Sequence, residues 1–242
     1  MMAMKTVNAS FMHPFTCVVA GPSGSGKTTF VKNLLESKYL IDTPFKHITI
    51  YLGTRIADNQ IFSDFQQENP NVNLIDYTDI YPDKKQFESK FAHDFVHTMQ
   101  QLGPGGIVVF DDLMQDLANA NIISDLFSKH SSHLNLSVIH ITQNIFFRGK
   151  QPQEHRTLYN NTMHLVLFEQ KMDNTYFSII ARRLGGGAHQ KSSNIANMMF
   201  DVSSKFRYIV INAGVGKDNS IKFTSDIFNE HPFPFQRCFE PL

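Results

Sequence analysis

Residues 13–35 decide the fold: His-Pro-Phe-Thr-Cys-Val-Val-Ala-Gly-Pro-Ser-Gly-Ser-Gly-Lys-Thr-Thr-Phe-Val-Lys-Asn-Leu-Leu. Thr16 to Ala20 is short, apolar and rich in β-branched residues, the composition of a buried strand. Phe30, Val31, Leu34 and Leu35 then recur at helical spacing. Between them, Gly21-Pro22-Ser23-Gly24-Ser25-Gly26-Lys27-Thr28 satisfies G-x-x-x-x-G-K-[ST] in the strand–turn–helix setting that makes it a phosphate cradle. Gly21, Gly24 and Gly26 allow the backbone to turn successive N–H groups toward one anion. The helix start adds a positive partial charge of about half a unit. Lys27 is expected to reach the β- and γ-phosphates of ATP and Thr28 to ligate Mg2+, with Thr29 following in the same nucleotide-binding segment.

Working outward, 242 residues suit one sizeable domain with a full core. The 22 basic and 22 acidic side chains cancel, so a polyanionic partner must meet a local patch rather than a global field. Cys17 and Cys238 suggest neither a disulfide framework nor a metal site. No apolar run approaches the roughly 20 residues of a membrane helix, and a soluble intracellular protein is expected.

Apolar runs at Cys17–Ala20, His47–Leu52, Val72–Ile75, Ile107–Phe110, Ser137–Thr142, His164–Phe168 and Tyr208–Ile211 read as strands. Helical periodicity falls at Lys27–Ser37, Lys84–Gln101, Asp116–Lys129, Thr175–Leu184 and Ser192–Ser204. This alternation predicts an α/β fold with a mainly parallel central sheet flanked by helices. Residues 1–12 and 229–242 are expected as extended tails around an ATPase domain at 13–228, and Gly185-Gly-Gly187 as a flexible turn.

Two further strands end in polar residues. Ile107–Phe110 stops at Asp111-Asp112, adjacent carboxylates that repel each other and lose hydration unless a cation joins them. Asp111 is the expected metal ligand, and Asp112 the residue that orients or deprotonates the attacking water. Val138–Ile141 leads into Thr142-Gln143-Asn144, where Gln143 can donate and accept at once and so distinguish triphosphate from diphosphate. Ligands of open parallel sheets sit beyond the strands' carboxyl ends, where all three motifs lie. His130, His133 and His140 read as surface or core histidines, with no cysteine near.

These pieces, with "LNLSVIHITQNIFFRGKQPQEHRTLYNNTMHLVLF" and "KFRYIVIN", resemble the FtsK/HerA superfamily of P-loop motor ATPases. Within it, they are most similar to the poxvirus-type genome-packaging ATPases, including those of Polinton-like and adintovirus-like elements. The resemblance runs from His13 to about Ile227. It implies a P-loop NTPase of the additional-strand, RecA/FtsK-like type. It also implies a homo-oligomeric ring, pentamer or hexamer, that drives double-stranded DNA into a capsid and docks on a capsid or portal protein. The segment after Phe168 departs from the family pattern, lacking Asn-Pro-Arg-Asp and carrying Arg183 where Gln is expected.

Three alternatives compete. A nucleoside-monophosphate kinase suits "GPSGSGKT" and the length, but not a strand ending in Asp-Asp followed by one tipped with Gln. A transporter ATPase needs a signature loop before the acidic pair, whereas "LGGGAHQ" follows it. A scaffold that binds ATP without hydrolysis has no use for Asp112 with Gln143. Arg156, in the loop after the Gln143 strand, is the first candidate to reach a neighbouring subunit's site and stabilise the transferring phosphoryl, ahead of Arg148 and Arg182. Lys84-Lys85, Arg148-Gly-Lys150 and Arg182-Arg183 are the candidate DNA contacts.

Overall fold

The structure is a computed structural model. It describes residues 4–8, 11–37, 39–76, 93, 95, 97–100, 105–111, 113, 125–143, 145, 158, 160–170, 175–213, 222–228 and 235–239. Strand β2 (Thr16–Ala20) is buried along its whole length because both of its faces are covered. Val18 and Ala20 join one apolar cluster and Cys17 and Val19 the other, the two-residue alternation of a strand dividing a core into two layers. Cys17 is a free thiol whose pKa burial pushes far above its usual range, so it stays protonated.

The other strands are β1 (Met4–Asn8), β3 (His47–Leu52), β4 (Val72–Asp76), β5 (Gly106–Asp111), β6 (Leu136–Thr142), β7 (His164–Phe168), β8 (Tyr208–Asn212), β9 (Lys222–Ser225) and β10 (Phe235–Phe239). They form one sheet in the order β1-β10-β9-β8-β7-β2-β6-β5-β3-β4. From β7 to β4 all pairings are parallel, and from β7 to β1 all are antiparallel. The expected parallel sheet is thus the half that carries the three motifs. Strand β6 lies between β2 and β5, the inserted strand that defines the additional-strand arrangement.

Helices α1 (Lys27–Glu36) and α2 (Gln60–Glu68) cover one face through Phe30, Val31, Leu34, Phe62 and Phe65. Helices α3 (Thr175–Leu184) and α4 (His189–Phe206) cover the other through Phe177, Ile180, Ile195 and Met199. Most of the expected helix at 84–101 lies outside the described residues, although 97–100 are helical. Of the expected helix at 116–129, the described part is largely a π-helix, Leu126–His130, continued by an α-turn at Ser131–His133.

The segments expected as tails behave otherwise. Met4–Asn8 and Phe235–Phe239 pair with each other, Met4 opposite Phe239, and β10 joins them to β9. Each is five residues long and has its partner at the far end of the chain, so no local pattern marks it. Among the described residues no helix is long and apolar enough to cross a membrane.

Candidate functional site: the cleft above β2, β5 and β6

The turn after β2 is held from below. Gly21 N–H donates to the Thr142 carbonyl at 3.2 Å, tying the turn to the end of β6. A Cβ on Gly21 would stand 2.5 Å from Cβ of Phe168, so only glycine permits the turn to lie on β7. Gly24 and Gly26 have φ of 73° and 100°, a region other residues rarely adopt. Gly26 is the N-cap of α1 and supplies no side-chain hydrogen bond, so no cap side chain occupies the N–H groups of the first turn. Lys27 Nζ donates to the carbonyls of Gly21 at 2.9 Å and Pro22 at 2.7 Å, which folds the cation over the turn.

These groups open onto a cleft of about 490 Å³ lined by Ser23, Gly24, Lys27 and Thr28, by Asp111, and by Ile141, Thr142 and Gln143. The three motifs, apart by as much as 120 residues in sequence, therefore meet at the carboxyl ends of adjacent strands. Pro22, Ser25 and Gly26 build the turn beneath, and Thr29 is exposed on α1. Asp112, Arg148 and Arg156 lie outside the described residues, as do Lys84, Lys85 and Lys150. Arg182 and Arg183 are exposed at the end of α3 and are not in the cleft lining.

Sequence reasoning missed the facing wall: Thr54, Asp58, Asn59, Gln60 and Ile61, from the connection between β3 and α2. Asn59 donates from Nδ2 to Asp111 Oδ2 at 3.2 Å, and its Oδ1 accepts from Phe62 N–H at 3.3 Å, capping α2. Gly53 N–H also donates to the Asp111 carbonyl at 2.9 Å. The signal available was an Asn directly before "QIFSDF", with Phe62 and Phe65 three apart: a helix start with an apolar face.

Among the described residues, the lining carries one cation, Lys27, against two carboxylates, Asp58 and Asp111. A polyphosphate lowered into it needs a further cation. Among the described residues no group of three or more His, Cys, Asp or Glu could hold a metal by itself. The donor set fits magnesium, which takes one or two carboxylates or hydroxyls and completes its shell with substrate phosphates and water. Thr28 and Asp111 are the residues that would hold it.

A sequence profile of the poxvirus A32 protein matches residues 5–231. The chain belongs to that family. It is a family of viral genome-packaging ATPases. No curated protein matches the sequence. Among solved structures, EssC (ATPases 2 and 3) from Geobacillus thermodenitrificans is 14% identical with a TM-score of 0.50, over 94% of this chain and 40% of that one. The cytoplasmic domain of the Thermomonospora curvata type VII secretion ATPase EccC is 12% identical with a TM-score of 0.49, over 93% of this chain and 25% of that one. The A32-family chain thus spans well under half the length of either, and the likeness to EssC shows the fold alone.

Proposed function

We propose that this chain is an ATP-hydrolysing motor that moves double-stranded DNA into a viral capsid. The observation that supports it most is the meeting of Lys27, Thr28, Asp111 and Gln143 in one cleft, with β6 inserted between β2 and β5. Lys27 and the N–H groups of residues 21–28 bind the phosphates, with Thr29 completing that segment. Magnesium, when bound, neutralises charge on the β- and γ-phosphates. Asp112 orients the attacking water, and Gln143 senses the γ-phosphate from the end of β6. In this reading the working form is a homo-oligomeric ring, pentameric or hexameric, whose Arg156 acts on the neighbouring subunit's site and which docks on a capsid or portal protein.

The test is hydrolysis by the purified chain with and without long linear duplex DNA, beside the Lys27→Ala variant. Turnover that rises with duplex and vanishes in Lys27→Ala is expected. Turnover that rises instead with a nucleoside monophosphate would make the protein a kinase, and equal turnover in Lys27→Ala would remove the cleft from the chemistry.

A further inference from the structure

We propose that Asn59 is a positioning residue, holding the Asp111 carboxylate with its amide N–H while its amide oxygen caps α2. Asp111 and the far wall of the cleft would then move as one unit. The inference rests on the reading of the cleft as an ATP–magnesium site.

Both ends of the Asn59 amide are committed. Its NH2 meets a carboxylate oxygen, Asp111 Oδ2, and its carbonyl meets a backbone N–H, that of Phe62. Reversing the amide would set oxygen against oxygen and N–H against N–H, so the two partners fix its orientation. Few residue types serve both partners. Serine and aspartate cap a helix as well as asparagine does, and threonine somewhat less well. A hydroxyl would have to meet both partners through one oxygen, where the amide divides them between Nδ2 and Oδ1, and aspartate would present a second carboxylate to the first.

The element that carries Asn59 is well anchored. Phe62 and Phe65 of α2 are buried in the same cluster as Phe30 and Leu34 of α1, the helix that follows the phosphate turn. Gly53, at the other end of the same connection, grips the Asp111 main chain. The β3–α2 connection thus holds the end of β5 at two points, one backbone and one side chain. Groups that orient a ligating carboxylate govern metal affinity, and their loss typically costs on the order of 10–100-fold in metal affinity or activity.

The experiment separates capping from positioning. Mg2+ is titrated into each protein with a fluorescent ATP analogue, half-maximal binding is read, and Tm is measured in parallel. Asn59→Ser keeps a cap and loses the N–H that reaches Asp111. Its Tm should stay near that of the parent, while the Mg2+ concentration for half-maximal binding rises by about 10-fold or more. Asn59→Ala should show the same rise with a lower Tm. In an Asp111→Asn background, Asn59→Ser should change metal response no further, a comparison that holds even if serine caps poorly. Asn59→Ser with the parent's metal response would overturn the positioning role and leave a cap. A parent protein that binds the nucleotide analogue without regard to Mg2+ would overturn the ATP–magnesium reading and this inference with it.

Discussion

Replacing Gly21 with alanine tests how the phosphate turn is seated. The added Cβ would stand 2.5 Å from Phe168 Cβ, 3.0 Å from Ser25 Oγ and 3.3 Å from Phe168 Cγ. Carbon atoms settle at about 3.5–4.0 Å, so the turn or the end of β7 must yield by roughly 1 Å. The obstacle is a Cβ next to the backbone, which no rotamer change can withdraw. Overpacking of this kind costs about 1–3 kcal/mol. For a chain of this size each kcal/mol lowers Tm by about 2–4 °C, giving a fall of roughly 2–12 °C. The Gly21 and Pro22 carbonyls that receive Lys27 shift with the turn, so nucleotide affinity falls as well. Gly24→Ala is the contrast. Nothing lies within 4 Å of its Cβ, and its cost is the left-handed backbone alone, about 1–2 kcal/mol. Thermal melts of both variants, each crossed with Phe168→Gly, are the assay. Removing the Phe168 Cβ should relieve much of the Gly21→Ala penalty and none of the Gly24→Ala penalty. Strictly additive effects at Gly21 and Phe168, or a Gly21→Ala protein with the parent's Tm and nucleotide affinity, would refute the packing argument.

Two other outcomes follow from groups away from the cleft. His164, enclosed by Phe11 and Phe15 and bonded to Asn212, has its pKa lowered to about 4 by burial, with the Asn212 bond opposing in part. The unfolded chain therefore binds the extra proton first, near pH 6.5. Stability should hold above that pH and drop toward pH 4, by up to about 1.4 kcal/mol per unit, and denaturant midpoints from pH 7 to 4 should lose most of that slope in His164→Gln. An unchanged slope would place the proton uptake elsewhere. Duplex binding should weaken with salt at a log–log slope near −0.9 per phosphate contacted, with little sequence preference. Arg182→Ala/Arg183→Ala should reduce that slope by up to about 2, and an unaltered slope would move the DNA contacts off α3.

The legible parts of the sequence were those whose physics is local. Strands β2, β5 and β6 are buried on both faces and so read as largely apolar runs; β2 leads into the glycine-rich turn, and β5 and β6 end in the polar residues Asp111 and Thr142. The turn chemistry of residues 21–28 needs no distant partner either. What stayed hidden depends on pairing across the chain. The insertion of β6 between β2 and β5 follows from no run of residues by itself; the family resemblance, not local pattern, implies it. Asn59 looks like any loop asparagine until α2 and β5 bring it to Asp111, 52 residues away. Strands β1 and β10 sit at one margin of the sheet, and Pro232, Pro234 and Pro241 around the second make that segment read as an extended tail.

The pairing of β1 with β10 sets an order of events in synthesis. Met4 is synthesised well before its partner, Phe239, which leaves the ribosome only after the 234 residues between them. At about 5–20 residues per second, that interval is roughly 10–50 s. During it the N–H and C=O groups of β1 have no native strand to bond, the circumstance in which strands join the wrong neighbour. The first-made strand of this sheet is thus among the last secured, and a nascent chain stalled before residue 235 would carry an unmated strand however well its nucleotide cleft had already formed.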